Sequence, residues 1–119
     1  MKWKDGLTKF RRDRAITKPS GKFTSMVDEE LQEYIDALKS GDMNELVDSL
    51  CDIITLASNE LALNDYGLDP SMKLCVKHIL ERPQCPEQAS RDWSNEKWQK
   101  DPSFKQLPVD YSTCKLKGR

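Results

Sequence analysis

An all-α fold is the prediction for this 119-residue chain, and three observations carry it. Apolar residues recur at spacings of three, four and seven over long stretches, which is the helical period, while the alternation that marks a strand is weak throughout. Short segments rich in Pro, Gly and Asp separate the stretches, at Pro19-Ser20-Gly21, Ser40-Gly41-Asp42 and Gly67-Leu68-Asp69-Pro70. These are the residues that stop one helix and start the next. A hydrophobic share of 37% against 33% charged suits one modest core in a single domain, and no internal repeat is visible. The expected architecture is a four-helix bundle with an extended C-terminal tail, its core completed by self-association.

The first helix is expected over residues 3–15, basic in character, with Trp3, Leu7, Phe10 and Ile16 as its apolar stripe. Thr17-Lys18-Pro19-Ser20-Gly21 reads as a loop. A second helix begins near Thr24 or Ser25, where Ser25-x-x-Asp28 resembles a capping arrangement and Glu29 and Glu30 favour the positive end of the helix dipole. It runs to about Lys39 with Val27, Leu31, Tyr34, Ile35 and Leu38 on one face. Ser40-Gly41-Asp42 ends it and caps a third helix over about 43–65. Leu46, Leu50, Ile53, Ile54, Leu56, Ala57, Leu61 and Leu63 make that helix apolar over much of its circumference, so it is expected to be central. Asp69 as N-cap and Pro70 at the first position open a fourth helix that runs to Arg82-Pro83. Beyond it the spacing predicts one short helix around 87–99 and then an extended tail.

The net charge of −1 hides a pattern. Residues 1–22 sum to +6, residues 23–69 to −11 and residues 70–119 to +4. Lys39 is the single basic residue among the twelve Asp/Glu of the middle segment. An acidic centre between basic flanks suits a metal-bound polyphosphate, carboxylates holding the metal and Lys/Arg the phosphates; a solvated acidic surface with basic ends is the plainer alternative. No apolar run approaches the ~20 residues of a membrane span. The N-terminal Met1-Lys2-Trp3-Lys4-Asp5 lacks the apolar run of a signal peptide, so the cytoplasm is expected. Cys51, Cys75, Cys85 and Cys114 form no C-x-x-C pair and read as reduced thiols. Cys75-x-x-His78 with Cys85 is a weak zinc pattern, because structural zinc sites show two close ligand pairs.

Each helical residue turns by ~100°, so spacings of three, four and seven share a face. Glu30 and Glu33 pair at one edge of the second helix's apolar stripe, and Glu29 falls on the opposite, solvated side. On the third helix Glu45, Asp48 and Asp52 are three and four apart, and Asp52 interrupts the run Leu50-Cys51-Asp52-Ile53-Ile54. Carboxylates beside a core are costly unless a cation neutralises them. Facing helices that each project such groups inward build a cage of hard oxygen ligands. That donor set suits Mg²⁺, or Mn²⁺, rather than zinc.

These residues resemble the signature of the all-α nucleoside triphosphate pyrophosphohydrolases, the superfamily of MazG, dimeric dUTPase and phosphoribosyl-ATP pyrophosphohydrolase. Members carry E-E-x-x-E on one helix and E-x-x-D on the next, with a Gly-Asp turn between. Glu29-Glu30-Leu31-Gln32-Glu33, Ser40-Gly41-Asp42 and Asp52-Ile53-Ile54 match in order and approximate spacing. The likeness spans about residues 22–82. It continues more weakly in Glu96-Lys97-Trp98 and Asp110-Tyr111-Ser112-Thr113-Cys114, which look like the tails of small single-domain members, often phage-encoded. One position departs: Ser49 stands three before Asp52, where the motif has Glu. Glu45-x-x-Asp48 is a literal E-x-x-D one turn early. Glu30, Glu33, Asp48 and Asp52 are the favoured metal ligands, with Glu45 as an alternate.

The resemblance implies a MazG-like bundle that assembles as a dimer or tetramer. It also implies Mg²⁺-dependent cleavage of a nucleoside triphosphate to the monophosphate and pyrophosphate. Glu30 and Glu33 are then the catalytic candidates, Glu33 as the base that orients water. Lys77, Arg82, Lys97 and Lys100 are candidates to neutralise phosphate, and Trp93, Trp98 or Tyr111 to stack on a base. His78 reads as a helix-face residue. A different class stays open: a non-catalytic helical module whose basic first 22 residues contact nucleic acid or nucleotide, although the acidic middle opposes a phosphate backbone.

Overall fold

The computed structural model describes residues 2–81 and 107–116. It divides into two compact units, Met1–Tyr66 and Gly67–Gly118. Among the described residues four α-helices follow in order: α1 (Trp3–Asp13), α2 (Phe23–Ser40), α3 (Met43–Leu63) and α4 (Leu68–Leu80). A 3-10 turn at Ser112–Cys114 lies in the tail. No β-strand forms among the described residues, so the fold is all-α as the periodicity predicts. The short helix expected around 87–99 lies outside the described residues.

In the first unit, α1 ends at Asp13, two residues early, because Ala15 takes a left-handed φ of 52°. The α2 boundary also differs from expectation. It starts at Phe23, and Ser25 is not its cap: the Ser25 hydroxyl donates back to the Lys22 carbonyl at 3.0 Å. Ser20 Oγ instead accepts from the Lys22 N–H at 3.1 Å, so the turn before the helix is organised by Ser20 rather than by Ser25. Gly41 closes α2 at φ 74°, and the Asp42 N–H reaches back to the Ala37 carbonyl at 3.1 Å. That is the six-to-one bond of a Schellman stop, which needs the left-handed residue that glycine provides cheaply. Asp42 then caps α3 as predicted, its carboxylate accepting from the Glu45 N–H at 3.1 Å. With only Gly41 and Asp42 between them, α2 and α3 form an antiparallel hairpin.

The hairpin's buried face overlaps the expected one only in part. Ala37 of α2 and Ser49 of α3 are buried at 2% and 0% exposure. Phe23, Met26, Glu30 and Tyr34 share the Ala37 side of α2, half-buried. Of the expected stripe, Val27 and Tyr34 are half-buried, whereas Leu31, Ile35 and Leu38 are exposed at 41–55%. Two helix backbones approach closely where their side chains are small, and the larger apolar residues are turned to the flank. Ser49 fits this crossing because its hydroxyl is satisfied within its own helix, donating to the Glu45 carbonyl at 2.9 Å. Met43, Val47, Leu50 and Ile54 of α3 are likewise exposed.

In the second unit, α4 begins at Leu68 behind an N-cap Gly67 that offers no side-chain bond. Asp69 is therefore a first-turn residue rather than the cap. Pro70 sits in the first turn without penalty, since the N–H it lacks would have had no helical partner. Gly67 is constrained from two sides: its N–H donates to the Cys114 carbonyl at 2.8 Å, and a Cβ would come 2.8 Å from Pro70 Cγ. Asp110 accepts from the Ser112 N–H at 2.9 Å and shapes the 3-10 turn, a bond that holds its carboxyl below the usual range. Cys114 is buried and Tyr111 half-buried. Burial raises the Tyr111 phenol above its ordinary value, and the neighbouring Cys75 adds to the shift.

Candidate metal centre

Three carboxylates predicted as ligands meet on the hairpin. Glu30 and Glu33 of α2 and Asp52 of α3 each offer an oxygen within 4.8 Å of the others, the one such group of three among the described residues. Glu30 and Glu33 meet because i,i+3 residues are neighbours on a helix face. Asp52 joins them because it lies one turn beyond Ser49, on the face of α3 that the crossing directs at α2. Glu30 and Asp52 are half-buried and Glu33 is exposed, so the group opens to solvent through Glu33.

The electrostatics of this corner are those of acids without a counter-charge. Burial pushes the Glu30 carboxyl up to about 7, with the Glu33 carboxylate and the Asp52 charge adding to the shift. Glu30 Oε2 is buried with no hydrogen-bond partner. A buried acceptor left unmatched costs stability, and neutralisation by a proton or by a cation relieves it. Glu45 is half-buried two turns before Asp52 on α3 and also has a raised pKa, from burial first and then from Glu33, Asp48, Asp42 and Asp52. Glu45 and Asp48 are not part of the three-oxygen group. Glu29 is exposed, as the helical spacing requires.

The other expected residues fall elsewhere. Lys77 lies on the exposed side of α4, where Met72, Val76 and Leu80 form an apolar groove with Lys73. Tyr111 belongs to the second unit against Cys75. Arg82, Trp93, Lys97, Trp98 and Lys100 lie outside the described residues, as does Cys85, the third member of the weak zinc pattern. Cys75 and His78 are half-buried on α4.

Sequence reasoning missed a second feature of the first unit. One turn along α2 and α3 from the carboxylates, a cavity of about 590 Å³ opens under α1. Arg11 of α1 donates to Asn59 Oδ1 of α3 there at 2.6 Å across 48 positions of sequence. The one local signal was Asn59 itself, a polar residue in the apolar second half of α3; its partner had no sequence signal at all.

Comparison with known families assigns the chain. The family model described as phosphoribosyl-ATP pyrophosphohydrolase matches residues 9–74, more than half of the 119 residues. The matched segment contains all three clustered carboxylates and the hairpin that joins them. The chain belongs to the phosphoribosyl-ATP pyrophosphohydrolase family, an all-α group within the MazG-like pyrophosphohydrolase superfamily. Membership carries pyrophosphohydrolase activity on nucleotides, in a family that is typically metal-dependent. Comparisons with curated proteins and with solved structures gave no match. No helix among the described residues is long and apolar enough to cross a membrane.

Proposed function

We propose that this chain is a Mg²⁺-dependent nucleoside triphosphate pyrophosphohydrolase that releases a nucleoside monophosphate and pyrophosphate. The observation that carries the reading is the group of Glu30, Glu33 and Asp52, with one Glu30 oxygen buried and unmatched. Three hard oxygen donors suit Mg²⁺ or Mn²⁺, and a buried carboxylate oxygen without a protein partner is one that a cation satisfies. Glu30, Glu33 and Asp52 would hold the metal, with Glu45 and Asp48 positioned on α3 for a further ion or for its water shell. When bound, Mg²⁺ neutralises phosphate oxygens and makes water more acidic.

Within that frame the residues have separate tasks. Glu33, the exposed member, accepts the proton of a water aimed at the phosphorus. The new P–O bond forms at the α-phosphorus as the bond to the bridging oxygen breaks, and pyrophosphate leaves. Glu30 and Asp52, half-buried, fix where the phosphates sit. Ser49 does not leave a hole in the cage, since it is a buried contact residue of the hairpin rather than a vacant ligand position. Lys77, Arg82, Lys97 and Lys100 are the candidates to neutralise the remaining phosphate charge.

The proposal includes a dimer or tetramer in the cytoplasm. Support for assembly comes from the exposed apolar flanks of the hairpin, Leu31, Ile35 and Leu38 on α2 and Met43, Val47, Leu50 and Ile54 on α3, each 41–62% exposed. Exposed apolar residues gathered on one hairpin support contact with another chain. Pyrophosphate release from a panel of ribo- and deoxynucleoside triphosphates, with and without Mg²⁺, tests the activity. Cleavage that needs Mg²⁺ and disappears in Glu30→Gln and Asp52→Asn is expected. No cleavage of any substrate, or cleavage that survives both substitutions, overturns it.

A further inference from the structure

We infer that the cavity beside the carboxylates is the seat of the nucleotide's base, an inference that rests on the pyrophosphohydrolase reading and names residues for the other end of the substrate. The cavity, about 590 Å³, is walled by Phe10 and Arg11 of α1, Phe23 and Met26 of α2, and Leu56 and Asn59 of α3. Its size lies in the range of small-molecule sites, which run from roughly 300 to 1,000 Å³.

Position argues first. Met26 is four residues before Glu30 and Leu56 four after Asp52, so the cavity wall begins about 6 Å along each helix from the carboxylates, at ~1.5 Å per residue. Asn59, seven residues past Asp52, stands about 10 Å away by the same rise. A nucleotide whose phosphates lie at the carboxylates must direct its sugar and base outward along the hairpin or into solvent, and this opening is a concave surface in line with the hairpin.

The lining chemistry argues second. Two aromatic rings, Phe10 and Phe23, are among the walls; the Arg14 guanidinium covers one face of Phe10 at 4.0 Å from its centroid, so a planar base would stack on the opposite face or on Phe23. Asn59 supplies a reader of the base edge. Arginine only donates, so the Asn59 oxygen must face Arg11, as the 2.6 Å bond has it. Its NH₂ group is thereby turned away with fixed orientation and donates to nothing among the described residues. Glu60, next along α3, is also among the lining residues, and its Oε1 accepts from Asn64 at 3.2 Å. An oriented amide donor complements an acceptor on the edge of a nucleobase, which an aliphatic guest lacks. Lys18, in the loop at the rim, adds a positive charge on the substrate's side.

The test uses the full chain with Mg²⁺ and the α,β-methylene analogues of adenosine, guanosine, cytidine and uridine triphosphates, which cannot be cleaved at the bond in question. Inorganic tripolyphosphate serves as the baseless control, and binding is followed by calorimetry. At least one analogue is expected to bind more tightly than tripolyphosphate. Phe10→Ala should erode that advantage at least about fivefold through the lost stack. Asn59→Leu should erode it by about tenfold, the equivalent of one hydrogen bond, for the preferred base in particular. Both variants should bind tripolyphosphate as the parent does. Phe10 is 42% exposed and its loss does not empty a core, so folding is not at stake in that arm. The inference falls if no analogue outbinds tripolyphosphate, or if the advantage survives both substitutions. Failure of the metal-site reading shows differently, as absent binding of Mn²⁺ and tripolyphosphate in the parent chain.

Discussion

Replacing Glu30 by Gln probes the centre most directly, because the same group sets both the pH dependence of the unliganded protein and that of metal binding. In the folded chain the Glu30 carboxyl is raised from 4.5 to about 7, burial being the main cause. The sign follows from linkage: below pH 4.5 the group is protonated folded and unfolded, and it contributes nothing. As pH rises from 4.5 to about 7 the unfolded chain releases the proton while the folded chain keeps it, so stability falls across that window and stays reduced above it. A metal must displace this proton to bind. A ligand group of pKa about 7 is ~90% protonated at pH 6 and ~10% at pH 8, so Mn²⁺ affinity should be about tenfold weaker at the lower pH. Titration calorimetry in two buffers of different ionisation enthalpy measures both affinity and released protons, about 0.9 per ion at pH 6. In Glu30→Gln the affinity should drop and the remaining pH dependence should largely vanish, while the metal-free protein should lose its fall in melting temperature between pH 4.5 and about 7. Equal affinity at pH 6 and pH 8 in the parent, or an undiminished pH dependence in the variant, would refute the assignment of the buried proton to Glu30.

Other substitutions address the scaffold. Asp42→Ala removes the acceptor for the Glu45 N–H and should lower stability by about 1 kcal/mol in a thermal or urea melt, with Asp42→Asn largely spared. Ala37→Leu inserts bulk where the helices touch and should cost about 1–3 kcal/mol. Since it spreads the hairpin one turn from Tyr34 and Glu33, it should also weaken Mn²⁺ binding by calorimetry, which an effect confined to stability would leave unchanged. Leu38→Glu with Val47→Glu places charge on flanks now 55% exposed in both cases. Sedimentation should then show a monomer where the parent sediments as a dimer or tetramer; a parent that is already monomeric removes the assembly proposal.

Much of the fold was legible because its cues are local. The Gly41 stop, the Asp42 cap and the order of the helices follow from backbone groups that must be satisfied within a few residues of chain. Boundaries slipped where two local partners competed, as at Ser20 and Ser25 ahead of α2, or where a residue such as Ala15 took a conformation its type disfavours. The candidate site was legible in part for the same reason. Glu30 and Glu33 share a face by spacing alone, and Asp52 announced itself by interrupting an apolar run.

The sequence by itself determined an all-α chain, an acidic hairpin and the residue types that suit a hard divalent cation. Helical periodicity says which residues lie together on one helix; it is silent on which face meets which neighbour. Tertiary structure decided that Ala37 and Ser49 are buried while Leu31, Ile35 and Leu38 of the expected stripe are exposed, because close approach of two helices favours small side chains. That choice rotates Asp52 onto Glu30 and Glu33 and keeps Asp48 out of the group. It also decided that Arg11 and Asn59, 48 positions apart, share a hydrogen bond at the mouth of a cavity. Such a contact exists only when distant helices pack, and no spacing along the chain encodes it.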